Sequence, residues 1–598
     1  MNTKTLRLAF TAFTAAIALA TAVDAGHPWP LYHGNLSRTG QTAAEGPVYI
    51  DIKWVKDFGS GSVVNYASPT IDEQGRVYVG TADGVLHVLK SDGSTDWTYS
   101  TGATQSTFFG GANTPSAAIA PDGSVVVLDP IGRVHKLNSS GQFQWKFDTL
   151  GNSADSHPAI LADGTILVAT YFYIPPIGAN AYLTSISPTG QQNWRADNPG
   201  VGHILSGPMV DSSGDIYVAA FDRLLKYNSA GQLLWTYNNN GSHMYGSPTL
   251  DPFGHVLMAD QTGFVRAVRQ SNGSLAWSYR IGTFSQAPLA VSSSGLAVAC
   301  AWPASAAGLQ TLAGDPVWSR ATTGRARSAP SLDAKDRAYF GVDGGMIYAV
   351  DKRGKIVWSL NIGNNTRSTP AFDAQGNMII ATDTWDGAKL ICFGSGFDSS
   401  KTVAGVRSLP DGPVSLKGKP VTYVGDGFYY IQDWDPVAGI KVVSANNDIQ
   451  VGDVVDVQGT LSSSSLERLI TADADEIIGT CVLPEVRYLN NKAVGGGSIG
   501  MNPGVTGAAG LNTVGVVVKT YGKVLSSEES PTGGYVFWID DGSGVSSTSG
   551  KNGIKVYSEF QPFYEYVAVT GVVALEEGSG RKLPVILTRD FDDIEPLD

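Results

Sequence analysis

Two arginines occupy matching places in this chain, Arg327 in GRARSAP and Arg367 in NNTRSTP, each three residues before a proline. Paired guanidinium groups take a carboxylate or a phosphate through charge-assisted, forked hydrogen bonds. The same place before other prolines holds Tyr66, Ala112, Asp155, Leu205, Tyr245 and Ser285. A position that varies and is often polar inside an otherwise regular pattern reads as one that faces a ligand; the competing reading has an arginine solvating the channel mouth or pairing with Asp155. Aromatic residues accompany it, Phe108 and Phe109 in STGATQSTFFGGAN and Tyr171 and Tyr173 in YFYIPPIGANAY. Exposed rings beside polar groups mark binding surfaces. Other chemistry is thin. GGSIG (496–500) fits the nucleophile pattern G-x-S-x-G at Ser498, but that chemistry needs a strand–turn–helix setting and a later histidine, and the last histidine is His255. A glycine-rich connection is the better reading. His87 and His135, each ten residues before a tryptophan, could share a metal, although strand histidines at a repeat position are more often structural. There is no HExxH, CxxC, phosphate-binding or EF-hand pattern.

The elements that must carry these residues repeat. Gly-x-x-x-Trp occurs seven times, ending on Trp97, Trp145, Trp194, Trp235, Trp277, Trp318 and Trp358, at intervals of 48, 49, 41, 42, 41 and 40 residues. Periods of this length mean a solenoid, a propeller or an array. Eight prolines keep the same period: Pro69, Pro115, Pro158, Pro208, Pro248, Pro288, Pro330 and Pro370. Between a proline and the next tryptophan lie short runs such as PTID, RVYVGT, VLHVLK and TDWTYS, parted by Gly, Asp and Ser. Those are four strands and their turns, and four-stranded repeats stacked radially make a β-propeller. The eighth repeat stops near Phe393 without a fourth strand, while YIDIKWVKDF carries Trp54, in phase, ahead of the first. Closure by that N-terminal strand predicts an eight-bladed ring with no open edge.

The pattern Ala-Val-(polar)₃-Gly-x-x-x-Trp, as in AVRQSNGSLAW (267–277), resembles the repeat of the pyrroloquinoline-quinone (PQQ)-like β-propellers, and WPLYHGNLSRTG (29–40) is similar to their lead-in segment. That superfamily includes quinone-dependent dehydrogenases and outer-membrane assembly lipoproteins, so the resemblance speaks to fold more than function. The dehydrogenase branch implies PQQ on the propeller axis with Ca²⁺, beneath a disulfide between adjacent cysteines. Here Cys300, Cys392 and Cys481 are far apart in sequence.

Beyond a linker at 394–405 the repeat ends and a longer duplication begins. GFYYIQD (427–433) is echoed by GYVFWIDD (534–541), GIKV recurs at 439 and 553, and GDVVDVQGTL matches EYVAVTGVVA. The order resembles the OB-fold, a small five-stranded barrel. Tyr429, Trp434 and Trp538 are candidates for stacking on sugars, with barrel core or rim as the plainer role.

Net charge is −13, of which −10 lies after residue 400 (15 Lys and Arg against 25 Asp and Glu). Nucleic acid is repelled by such a surface. Residues 1–25 read as a secretory signal, with Lys4 and Arg7 before a short apolar stretch and a small-residue cleavage site after Ala25. No cysteine lies near that site, so no lipoprotein is expected, and no later apolar run reaches membrane-spanning length.

The expected protein is all-β and exported, secreted or in the cell envelope. An eight-bladed propeller (26–397) is followed by OB-like barrels at 398–482 and 510–598, joined by a glycine-rich connection at 483–509. The expected function is non-catalytic binding or scaffolding through the channel face, toward a protein partner or a small anionic or carbohydrate ligand. A monomer without cofactor is expected. A PQQ- and Ca²⁺-dependent dehydrogenase and an extracellular carbohydrate-binding protein are the alternatives.

Overall fold

The computed structural model describes residues 27–597 except 60–67, 103–116, 130, 152–155, 175–177, 199–201, 203, 205, 383–386, 396–397, 464 and 548–549. The chain divides into two bodies, residues 1–355 with 363–396, and residues 356–362 with 397–598.

The first body is a propeller of four-stranded antiparallel sheets. In the first repeat the strands are Thr70–Ile71, Val77–Gly80, Val85–Leu89 and Thr95–Ser100. Burial follows position in the blade. VYVG is buried at every residue because sheets flank it on both sides, whereas the outer strand TDWTYS alternates between exposed and half-buried. A buried aspartate turns the first strand into the second. Asp72 accepts the backbone N–H groups of Gln74 and Arg76 and the hydroxyl of Tyr78, and Asp211 and Asp333 repeat this device with Tyr217 and Tyr339.

The Gly-x-x-x-Trp spacing has a physical cause that spans two blades. The ring of Trp97 lies on Gly141 of the following repeat, where a Cβ would come within 2.6 Å of it. Gly141 also needs its φ of +81°. Trp194 on Gly231 and Trp318 on Gly354 repeat the step, and several indole N–H groups donate to backbone carbonyls of the next repeat, Trp194 to Ser229 at 3.0 Å. Trp54 lies the same way on Gly93 of the first repeat, and its strand Ile52–Asp57 pairs antiparallel with Lys389–Phe393. The N-terminal strand therefore completes the last sheet.

Among the described residues seven separate four-stranded sheets stand in this arrangement, not the eight expected. The repeat led by Pro330 contributes Ser331–Leu332, Ala338–Gly341 and Met346–Val350, but its Trp358 segment, residues 356–362, is grouped with the second body, so these strands do not stand as a separate four-stranded sheet.

The lead-in segment runs across the innermost strands. Trp29 pairs with Ile71, and the carbonyls of Pro30, Leu36, Ser37, Thr39 and Gly40 accept from Ile119, Val210, Leu250, Val291 and Leu332, five other repeats. At its centre Arg38 is wholly buried. Its guanidinium donates to the carbonyls of Tyr32, His157, Pro158 and Pro208 at 2.6–3.3 Å.

In the second body Gly412–Gly425, Phe428–Gln432, Gly439–Val443, Asp453–Ser462 and Leu469–Thr480 close into a five-stranded barrel. The third and fifth strands pair parallel and the first and fourth antiparallel. The same order of pairings recurs in Val517–Glu529, Tyr535–Asp540, Ile554–Ser558, Tyr566–Gly578 and Arg581–Leu587. The glycine-rich connection is ordered. Asn512 bonds to Gly497 and Pro503, and the buried Arg407 reaches Asn502, Asn512 and the Gly439 and Val514 carbonyls. Glu467, buried from one barrel, accepts from Tyr430 at 2.7 Å and from the Leu575 N–H of the other at 2.6 Å.

Candidate functional site

In an antiparallel four-stranded repeat, the turn between the second and third strands and the segment leading to the next proline lie at the same sheet end. Backbone bonds tie the two: Met244 to Phe221, Gln261 to His243, Thr283 and Phe284 to Trp302, and Asp343 to Arg325. These residues form one loop face of the propeller.

Arg327 and Arg367 converge there on one carboxylate, from Asp343, with N–O distances of 3.1 and 3.3 Å. The guanidinium groups of Arg325 and Arg327 lie over the indole of Trp302 at 4.3 and 4.7 Å, the geometry of a cation–π contact. Among the described residues these guanidiniums gather around the Asp343 carboxylate, on a chain that is acidic as a whole. From Trp302 a run of rings continues through Phe284 (4.8 Å), Tyr245 (5.9 Å), His243 (6.0 Å) and Phe221 (3.5 Å). Partial burial lowers the His243 imidazole and raises the Tyr245 phenol, keeping both neutral near pH 7. The face thus offers held cations beside an aromatic track. Chemically it can bind and orient an anionic group. The described side chains there make no nucleophile–base pair.

Of the residues singled out from the sequence, Tyr245, Arg327 and Arg367 come onto this face. Tyr171 lies buried in the strand Ile166–Ile174. Tyr66, Phe108, Phe109, Asp155 and the side chain of Tyr173 lie outside the described residues. Trp302, Phe284, Arg325 and Asp343 were missed. Trp302 had a signal: it falls between Trp277 and Trp318, out of phase with the repeat, so it is not needed for blade packing.

The other candidates resolve into structure. His135 is buried, held by Asp129 and Tyr99 at 3.1 Å each, and His87 bonds to Thr81, so neither turns toward a shared metal. The Ser498 hydroxyl accepts from Gly504 within the connection. Trp434 and Trp538 are 5% and 1% exposed and Tyr429 is buried, so these rings belong to the barrel cores and offer no sugar platform. Cys300, Cys392 and Cys481 are free thiols.

The quinone that the dehydrogenase resemblance implies would need calcium ligands beside it. Among the described residues no three His, Cys, Asp or Glu side chains come together as a metal site. Asp343, the carboxylate of the loop face, already faces two guanidiniums. On the loop face the described carboxylate is thus already engaged, and the described side chains there do not fit a calcium–quinone pair.

Residues 41–171 and 179–338 match the family model described as PQQ_2, outer membrane protein assembly factor BamB, and over them the chain carries PQQ-like propeller repeats. No curated protein matches the chain. Among solved structures it is similar to the quinohemoprotein alcohol dehydrogenase from Comamonas testosteroni (12% identity, TM-score 0.54, 64% of this chain and 83% of that one). A europium-containing methanol dehydrogenase gives 13% identity and a TM-score of 0.53 over 64% of this chain and 100% of that one. A quinohemoprotein alcohol dehydrogenase from Pseudomonas putida HK5 gives 12% and 0.52 over 69% and 85%. At such identities the likeness is one of fold.

Proposed function

We propose that this is an exported, non-catalytic binding or scaffold protein whose propeller loop face recognises an anionic group on a protein partner or ligand. The observation that carries the reading is the cluster of Arg325, Arg327 and Arg367, held by Trp302 and Asp343. Guanidiniums fixed in advance lose little side-chain entropy on binding. The match to an assembly-factor family supports the same reading, since its described role is assembly. The proposed architecture is an eight-repeat ring over 26–397, two OB-like barrels at 398–482 and 510–598, and a signal segment at 1–25. Support for eight repeats comes from the eight prolines and from Trp54 stacking on Gly93. No helix among the described residues is long and apolar enough to cross a membrane.

The test uses labelled poly-glutamate and PQQ, each titrated into the full chain with and without Ca²⁺, together with a dye-linked alcohol oxidation assay. The expected result is saturable, salt-sensitive poly-glutamate binding that Arg325→Ala with Arg327→Ala weakens at least tenfold, and no turnover. Ca²⁺-dependent PQQ binding with dye reduction would replace this reading with a dehydrogenase. Poly-glutamate binding that ignores the arginine substitutions would move the site off this face.

A further inference from the structure

The second barrel carries a sheet face with several exposed aromatic rings. Arg487–Tyr488 pairs parallel with the barrel strand Val517–Glu529, and Ile594–Pro596 pairs with Tyr566–Gly578, so two extra strands widen the sheet on either side. Register decides which side chains share its outer side, because residues directly opposite, and those two apart, point the same way. Tyr488 is opposite Lys519, Tyr521 opposite Ala568, Lys523 opposite Tyr566, and Ala568 opposite Glu595. Tyr488, Tyr521 and Tyr566 therefore stand on one outward face, on three successive strands spaced about 4.8 Å apart. They are 75%, 53% and 48% exposed. Phe563, 77% exposed, lies three residues before Tyr566 on the preceding loop.

The charges among these rings cancel. Lys519 binds Glu595 at 2.6 Å and Lys523 binds Glu565 at 2.9 Å. An anionic membrane or a nucleic acid needs unpaired cations, and both lysines of this face are engaged in a region whose net charge is negative. What remains is a row of rings with hydroxyl tips and a neutral mean charge. Such a row stacks on the apolar faces of sugar rings while phenol, ammonium and carboxylate groups meet their hydroxyls.

We propose that this tyrosine face binds a neutral polysaccharide. The site is distinct from the propeller loop face and does not depend on the function assigned there. It also differs from the core rings Trp434 and Trp538, which cannot reach a ligand.

The test is affinity electrophoresis of the full chain through gels holding mixed-linkage β-glucan, hydroxyethylcellulose, xylan or pullulan. At least one gel is expected to retard the protein. Tyr521→Ala with Tyr566→Ala is expected to weaken that retardation at least tenfold, and Tyr488→Ala to weaken it less. The far-UV circular dichroism and the urea unfolding midpoint serve as folding controls, both unchanged by these outward substitutions. No retardation in any gel, or retardation indifferent to the tyrosines, overturns the proposal. So does sedimentation with phosphatidylglycerol vesicles, or self-association, that the tyrosine substitutions abolish in the absence of sugar binding.

Discussion

Arg38→Met probes the hub of the propeller. The guanidinium is wholly buried and donates to four carbonyls, those of Tyr32, His157, Pro158 and Pro208. Methionine keeps much of the stem but removes every one of these donated hydrogen bonds. Removing a charged donor from a buried acceptor costs about 1–3 kcal/mol, so the loss of four such contacts at the middle of that range costs roughly 8 kcal/mol. Against this, burial pushes the guanidinium down to about 10 from its ordinary 12.5, which corresponds to roughly 3 kcal/mol of ion burial that the substitution recovers. The expected net loss is about 5 kcal/mol. At a urea m-value near 3 kcal/mol/M the midpoint falls by about 1–2 M. Equilibrium unfolding followed by tryptophan fluorescence reads it directly, since most of the tryptophans are in the repeats. Arg38→Lys, with one compact ammonium for four diverging carbonyls, should recover only part of the loss. A loss below about 1 kcal/mol would refute the reasoning that these carbonyls depend on Arg38.

Other consequences follow from single contacts. Burial holds the His33 imidazole at about 4, below its unfolded value near 6.5. The neutral form is favoured only when folded, so this stability is full above pH 6.5 and is lost as pH falls toward 4, by roughly 3 kcal/mol; His33→Gln should flatten that part of the stability curve. Gly231→Ala puts a Cβ 2.5 Å from the Trp194 ring at a φ of +79°, and a loss of about 2–4 kcal/mol is expected in thermal or urea unfolding. Burial raises the Glu467 carboxyl above its ordinary value. The cost of ionising it is absent at low pH and present above its folded value, so Glu467→Gln should gain stability relative to the parent as pH rises from 4 to 8. Asp343→Ala removes the carboxylate that Arg327 and Arg367 share and should tighten poly-glutamate binding several-fold at low salt, whereas Trp302→Ala, which removes the ring under Arg325 and Arg327, should weaken it.

The repeat was legible because its cause is local and recurrent. Each Gly-x-x-x-Trp from Gly93 to Trp318 serves two blades at once, the glycine under one tryptophan and the tryptophan over the next glycine, so the spacing is written into successive periods. The duplicated GIKV and Tyr-rich strands announced the barrels for the same reason. The site was only partly legible. Arg327, Arg367 and Tyr245 were found by their place before a proline, but their partners sit on a different turn of a neighbouring strand pair. Asp343 lies 16 residues from Arg327 and 24 from Arg367, and no short pattern joins them. The aromatic residues expected to be exposed near the third repeat include Tyr171, which packs inside its strand.

By itself the sequence determined the β architecture, its period, the closure by the Trp54 strand and the acidic balance, because strand alternation, turn residues and docking glycines act over a few residues. Only the tertiary structure decided which side chains meet. Asp343 neutralising two arginines, Trp302 supporting two, Arg38 gathering four carbonyls and three tyrosines aligned on one sheet face all depend on register and ring closure, which bring together residues far apart in the chain.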